Sequence, residues 1–147
     1  MSHDKVQVVE RLVAAVNERD VDGFLVCCTE DISLRTPWAP VEGTYEGREA
    51  IRRFFADLKD TLPDFRLSIE SAEAVGAGRV LAFVQASVSG RASGISVAAT
   101  VGGRVGHASG AGHLATATIF DFAGGKIAGI RVYLDRAEAV EAARLQE

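Results

Sequence analysis

An α+β fold follows from three observations on this chain. Apolar residues recur at helical spacing as far as Pro63, the rest alternates mainly with the period of two of strands, and paired glycines at Gly124-Gly125 join two of those strands tightly. At 147 residues the chain makes one domain, residues 1–147, that buries about two-thirds of its unfolded surface without disulfides or metal.

Val6, Val9, Leu12, Val13 and Val16 predict an amphipathic opening helix that ends between Asn17 and Asp20, with Lys5, Glu10, Arg11 and Glu18 on its polar side. Asp22 is a good cap for a short second helix through Phe24, Leu25 and Cys28, followed by a strand over 32–36. Pro37 and Pro40 then break the backbone. After Gly43 and Gly47 a third helix reads from 48 to 58, with Ile51, Phe54, Phe55 and Leu58 as its buried stripe. Beyond Pro63, the segments 65–75, 79–89, 114–122 and 126–135 read as strands. The run of Gly, Ala, Ser and Val between Gly90 and Gly112 reads as a loop joining two strands, or as a lid. A helix over 136–145 closes the chain.

Composition narrows the function classes. The net charge of −4 and the lack of a Lys/Arg cluster argue against a nucleic-acid surface. No stretch reaches the ~20 apolar residues of a membrane span, and the start does not read as a signal peptide, so a cytoplasmic protein is expected. Cys27 and Cys28 are adjacent and read as free core thiols, since bridging neighbours is strained. His107 and His113 lack a metal-ligand pattern around them, and the Gly-rich run lacks the Lys and strand-to-helix setting of a phosphate loop. No cofactor is expected.

The candidate chemistry lies on the last strand. Alternation puts Arg131, Tyr133 and Asp135 on one face and Ile130, Val132 and Leu134 on the other. Counting back from a two-residue Gly124-Gly125 turn pairs Thr118 with Arg131, Thr116 with Tyr133 and Leu114 with Asp135, which makes that polar row a possible pocket floor. The opposite face, with Ala115, Ala117 and Ile119, suits helices or a partner subunit.

The segment Val13-Ala14-Ala15-Val16-Asn17-Glu18-Arg19-Asp20-Val21-Asp22-Gly23 resembles the NTF2-like superfamily. So do the run from Gly43-Thr44-Tyr45 to Phe54-Phe55, then Pro63-Asp64-Phe65, and Gly125-Lys126-Ile127 leading to Arg131-Val132-Tyr133-Leu134-Asp135. These look like the SnoaL-like (polyketide cyclase-like) branch and span most of the chain. The resemblance implies an NTF2-like cone, with N-terminal helices packed in a curved antiparallel sheet around an internal apolar pocket, and commonly a homodimer. It does not imply one activity, because the superfamily holds cyclases, isomerases, epoxide hydrolases, dehydratases and binding modules. The ketosteroid isomerase residues are absent: Thr36 stands where the base would precede Pro37, Leu12 where the first-helix Tyr would be, and Ala117 near the second Asp. The carboxylate that serves SnoaL-like cyclases late in the last strand resembles Asp135.

On that reading Asp135 is acid and base, Tyr133 steadies an enolate oxygen, and Arg131 fixes a substrate carbonyl or carboxylate. The structural alternative is that Asp135 caps the closing helix or pairs with Arg131. Trp38, Tyr45, Gln85, Thr116, Thr118 and His113 are candidate ligand contacts, with rim packing the alternative for Trp38 and Tyr45. The expected function is cofactor-free cyclase, isomerase or dehydratase chemistry on a small apolar carbonyl compound. A non-catalytic binding or accessory module is the rival. Epoxide hydrolysis is a third reading, for which a second pocket carboxylate is not evident, as Asp121 is expected to face away from Asp135.

Overall fold

The computed structural model describes residues 2–37, 43–61, 63–76, 78–87 and 113–145. Trp38 and the Gly-rich segment 90–112 lie outside the described residues, and nothing is described of the His113 side chain. Helices α1 (Ser2–Glu18), α2 (Val21–Val26) and α3 (Arg48–Thr61) pack on a six-stranded sheet of order β2-β1-β6-β5-β4-β3. Its strands are β1 (Cys28–Thr36), β2 (Gly43–Glu46), β3 (Arg66–Ala74), β4 (Arg79–Ser87), β5 (His113–Ala123) and β6 (Lys126–Tyr133), and α4 (Arg136–Leu145) follows. The sheet is curved, open and mixed rather than purely antiparallel, because β1 runs parallel to β6.

The turn from α1 into α2 follows from local chemistry. Arg19 adopts a positive φ of 58°, and the Asp20 N–H bonds back to Ala15 O at 2.8 Å, which ends the helix. Asp20, rather than Asp22, caps α2 by accepting from Gly23 N at 3.0 Å. Arg19 Nη2 donates to Pro63 O and Phe65 O at 3.0 and 2.9 Å, while Asn17 grips Leu67 through its N–H and C=O, both at 2.8 Å. The end of α1 thereby fixes the chain entering β3, the edge strand. The stripe of α3 is buried as its periodicity predicts, with Phe24–Phe55 and Phe54–Phe55 meeting edge to face at 5.2 and 5.7 Å between centroids.

One register shift decides which residues face the helices. Ala123 pairs with Lys126 and Phe122 with Ile127, as a two-residue turn requires, but the next pair is Asp121 with Gly129. Ala128 is therefore an extra residue, a bulge. Beyond it Thr118 pairs with Val132 and Ile119 with Arg131, one position away from the count made from the turn. The predicted apolar face of Ala117, Ile119, Ile130 and Val132 is thus split between the two sides of the sheet. Ile130 belongs to the main core under α1 and α3, with Val132 packed against it, whereas Ala117 and Ile119 join Leu81 under Ala139 and Ala143 of α4. Of the patch that suited helices or a partner subunit, α4 covers Ala117 and Ile119, while Ala115 stays exposed.

Candidate functional site

The inner side of the sheet and helices α1 and α3 enclose a cavity of about 50 Å³. Leu12 and Val16 come from α1, Phe54 from α3, and Leu34, Phe120 and Ile130 from neighbouring strands. Only Thr36 and Thr118 are polar among its described lining residues. Both sit where the strand period turns them inward, on either side of Val132, so their Cα atoms are about 10 Å apart across two strand spacings.

Of the residues predicted to form the site, Thr118 lines this cavity. Thr116 is fully buried beside it, but its hydroxyl donates to Val84 O at 2.9 Å, so it serves the β4–β5 pairing. Tyr45 points into α3 instead: its ring meets Phe54 at 5.3 Å and its hydroxyl bonds to Asp57. Burial, with the Asp57 carboxylate adding to it, raises the Tyr45 pKa above the usual phenol value. Gln85 lies on the outer side of the sheet, where its Nε2 donates to Glu70 at 2.8 Å.

The polar row of β6 is also on the outer side. Arg131 Nη2 reaches Asp121 at 3.1 Å, and Arg79 Nε reaches the other oxygen of the same carboxylate at 2.9 Å. Asp121 therefore shares a face with Arg131, with the small Gly129 leaving space beside its carboxylate. Tyr133 packs in the cluster beneath α4, its hydroxyl 3.5 Å from Arg131 Nη1. Asp135 follows the strand and caps α4, its Oδ1 accepting from Ala137 N at 2.9 Å and Glu138 N at 3.2 Å. These three residues do not line the cavity, so the expected base, enolate donor and substrate anchor are missing from it. The reason is the Ala128 bulge, which turns Arg131 and Tyr133 outward.

Further along the outer side, Arg136 supplies what the shorter β6 leaves unbonded. Its Nε donates to Thr116 O at 2.9 Å, its Nη1 pairs with Glu70 at 2.9 Å, and its guanidinium lies 4.8 Å from the Phe83 ring centre. Hydrogen bonds from Arg136 and then Gln85 hold the Glu70 carboxyl below its ordinary pKa.

Sequence reasoning missed Thr36 as a lining residue, along with Leu34, Val84 and Val132. The available signal was hydrophobicity: the apolar side of β6 faces the apolar cavity. General acid–base chemistry needs a titratable group within hydrogen-bond reach of the ligand, and none lines the cavity among the described residues. Nor does any group of three or more His, Cys, Asp or Glu able to hold a metal occur among them. No described helix is long and apolar enough to cross a membrane.

The helices on one side of a curved six-stranded sheet define an NTF2-like fold. The chain belongs to the SnoaL-like domain family, whose sequence model matches residues 9–130. Among solved structures, an NTF2-like protein of unknown function from Burkholderia pseudomallei K96243 is 19% identical, covering 96% of this chain and 97% of that one at a TM-score of 0.68. TerC, co-crystallized with polyporic acid, is 18% identical over 96% of this chain and 98% of its own, also at 0.68. SalBIII, an epoxide hydrolase/cyclase-like enzyme in pyran ring formation in polyether salinomycin, is 18% identical over 89% and 90%, at 0.62. At such identities the likeness is one of fold. No curated protein matches the sequence.

Proposed function

We propose that this protein binds a small, largely apolar molecule in the cavity between α1, α3 and the sheet, with Thr118 orienting an oxygen atom of the ligand. The observation that carries this reading is the lining, hydrocarbon apart from the side chains of Thr118 and Thr36. Small-molecule sites are commonly built this way, with an apolar wall supplying affinity and a few polar groups fixing orientation. The cavity of about 50 Å³ accepts a slender apolar substituent rather than a whole ring. Binding, rather than proton transfer by Asp135, is the function this geometry favours, because Asp135 is engaged at the start of α4.

Polyporic acid with TerC and pyran formation by SalBIII suggest the first ligands to try: compact oxygenated rings with apolar substituents. Native mass spectrometry of the purified protein identifies any retained molecule. Calorimetric titration with a panel of cyclic ketones, alcohols and quinones then measures affinity. Thr118→Val keeps the side-chain shape and removes the hydroxyl, and it is expected to weaken the best ligand about fivefold, the worth of one hydrogen bond. Val132→Phe fills the cavity and is expected to abolish binding. A panel with no binder, or affinities unchanged by both substitutions, refutes the proposal.

A further inference from the structure

A second hollow lies on the opposite side of the sheet, independent of the cavity above. It is a trough of about 240 Å³ between α4 and strands β3 and β4. Ser71, Glu73 and Val75 form one wall at alternate strand positions, and Val140, Ala143 and Arg144 form the other at helical spacing. Leu81 and Phe83 make the floor, paired across the sheet with Glu73 and Ser71.

The trough exists because α4 packs on β4 and β5 and reaches β3 at its first turn, through the Arg136–Glu70 ion pair. Ala139 and Ala143 have no bulk, so the helix sits close over Leu81, Ala117 and Ile119. Arg136 fixes its first turn to Thr116 O and Glu70, and Arg79 Nη1 fixes its last turn by donating to Ala143 O at 3.2 Å.

Glu73 and Arg144 border this space with opposite charge, yet neither takes part in an ion pair among the described residues. Between them lies an apolar floor. We propose that the trough is a binding site for a small zwitterion with an apolar side chain, of the class of free hydrophobic amino acids. Its carboxylate meets the Arg144 guanidinium, its ammonium meets the Glu73 carboxylate, and its side chain lies on Leu81 and Phe83 towards Ser71. Charge complementarity sets the ligand class. A purely apolar molecule leaves both ends unmatched, and an anion or a cation leaves one.

The test is an NMR titration of the isotope-labelled protein with L-phenylalanine. Saturable shifts at the amides of Ser71, Glu73, Val140 and Arg144, with a dissociation constant below about 10 mM, are expected. Glu73→Gln and Arg144→Gln change exposed side chains, so melting curves should match the parent, while affinity falls about threefold to tenfold in each. Phenylalaninamide, which lacks the carboxylate, should bind the parent and Arg144→Gln equally. N-acetylphenylalanine, which lacks the ammonium, should not distinguish the parent from Glu73→Gln. Thr118→Val should leave all of these values unchanged, separating this site from the inner cavity. No saturable shift up to about 10 mM, or an affinity indifferent to both charge substitutions, overturns the proposal.

Discussion

Replacing Asp135 by Ala and by Asn separates a cap from a catalyst. The carboxylate accepts two backbone N–H groups of the first turn of α4, from Ala137 at 2.9 Å and Glu138 at 3.2 Å. Alanine removes both acceptors, at a cost of about 1 kcal/mol for a lost N-cap, and removes a negative charge from the positive end of the helix, worth about 0.5 kcal/mol more. The sum, about 1.5 kcal/mol, lowers the Tm of a chain of this length by about 5 °C. Asparagine caps almost as well as aspartate and loses only the charge, so a drop of about 2 °C is expected. Urea unfolding should show a lower midpoint with an unchanged slope in both variants. Ligand affinity in the inner cavity should be the same for parent, Asn and Ala. A base would behave oppositely, with Asn folding well yet converting no ligand. If Asn costs as much stability as Ala, or if it abolishes turnover of a ligand that the parent converts, the capping argument is wrong.

Three further outcomes follow from the contacts on either side of the sheet. The lowered Glu70 pKa means that its stabilising effect is complete above the ordinary carboxylate value of 4.5 and is lost as acid takes the pH down through the folded-state value, so Glu70→Gln should flatten the stability–pH curve below 4.5. Burial, assisted by the neighbouring Cys27, pushes the Cys28 thiol up to about 12, leaving on the order of a thousandfold less thiolate than a free cysteine. A thiol-reactive dye at pH 8 should therefore label Cys28 only after unfolding, and prompt labelling in the native protein would contradict the packing described. Asn17→Ala breaks both bonds to Leu67 and should cost about 2–3 kcal/mol in urea unfolding, with faster hydrogen exchange at the Leu67 amide as its local signature.

The parts of the fold legible in the sequence are those governed by short-range periodicity. Ile51, Phe54, Phe55 and Leu58 lie on one side of α3 because a 3.6-residue repeat places them there, and burial follows. The strands β3 to β6 announce themselves by alternation and by the glycine turn. Pairing between distant segments carries no such local mark. The parallel contact of β1 with β6 joins Leu34 to Ile130, far apart in the chain, and β2 is only four residues long beside a proline-interrupted stretch. The cap at Asp20 was hidden by Asp22, an equally suitable residue two positions on; the backbone turn at Arg19 decided between them.

The candidate site was less legible because two sequence signals on β6 conflict. Counting from Gly124-Gly125 pairs Thr118 with Arg131 and gives a polar pocket floor, whereas hydrophobicity alone sends Ile130 and Val132 inward and Arg131 outward. Both turn and hydrophobic face are real, and the chain satisfies them together by spending one residue, Ala128, on a bulge close to the turn. Energetics favour that solution. Without the bulge, a guanidinium would enter a cavity whose lining offers it two hydroxyls and no carboxylate, and Asp121 would lose Arg131 as a partner. With it, Asp121 holds Arg79 and Arg131 together on the outer side, and Arg79 in turn secures the end of α4. The shift that empties the inner cavity of charge thus helps to build the charged outer surface.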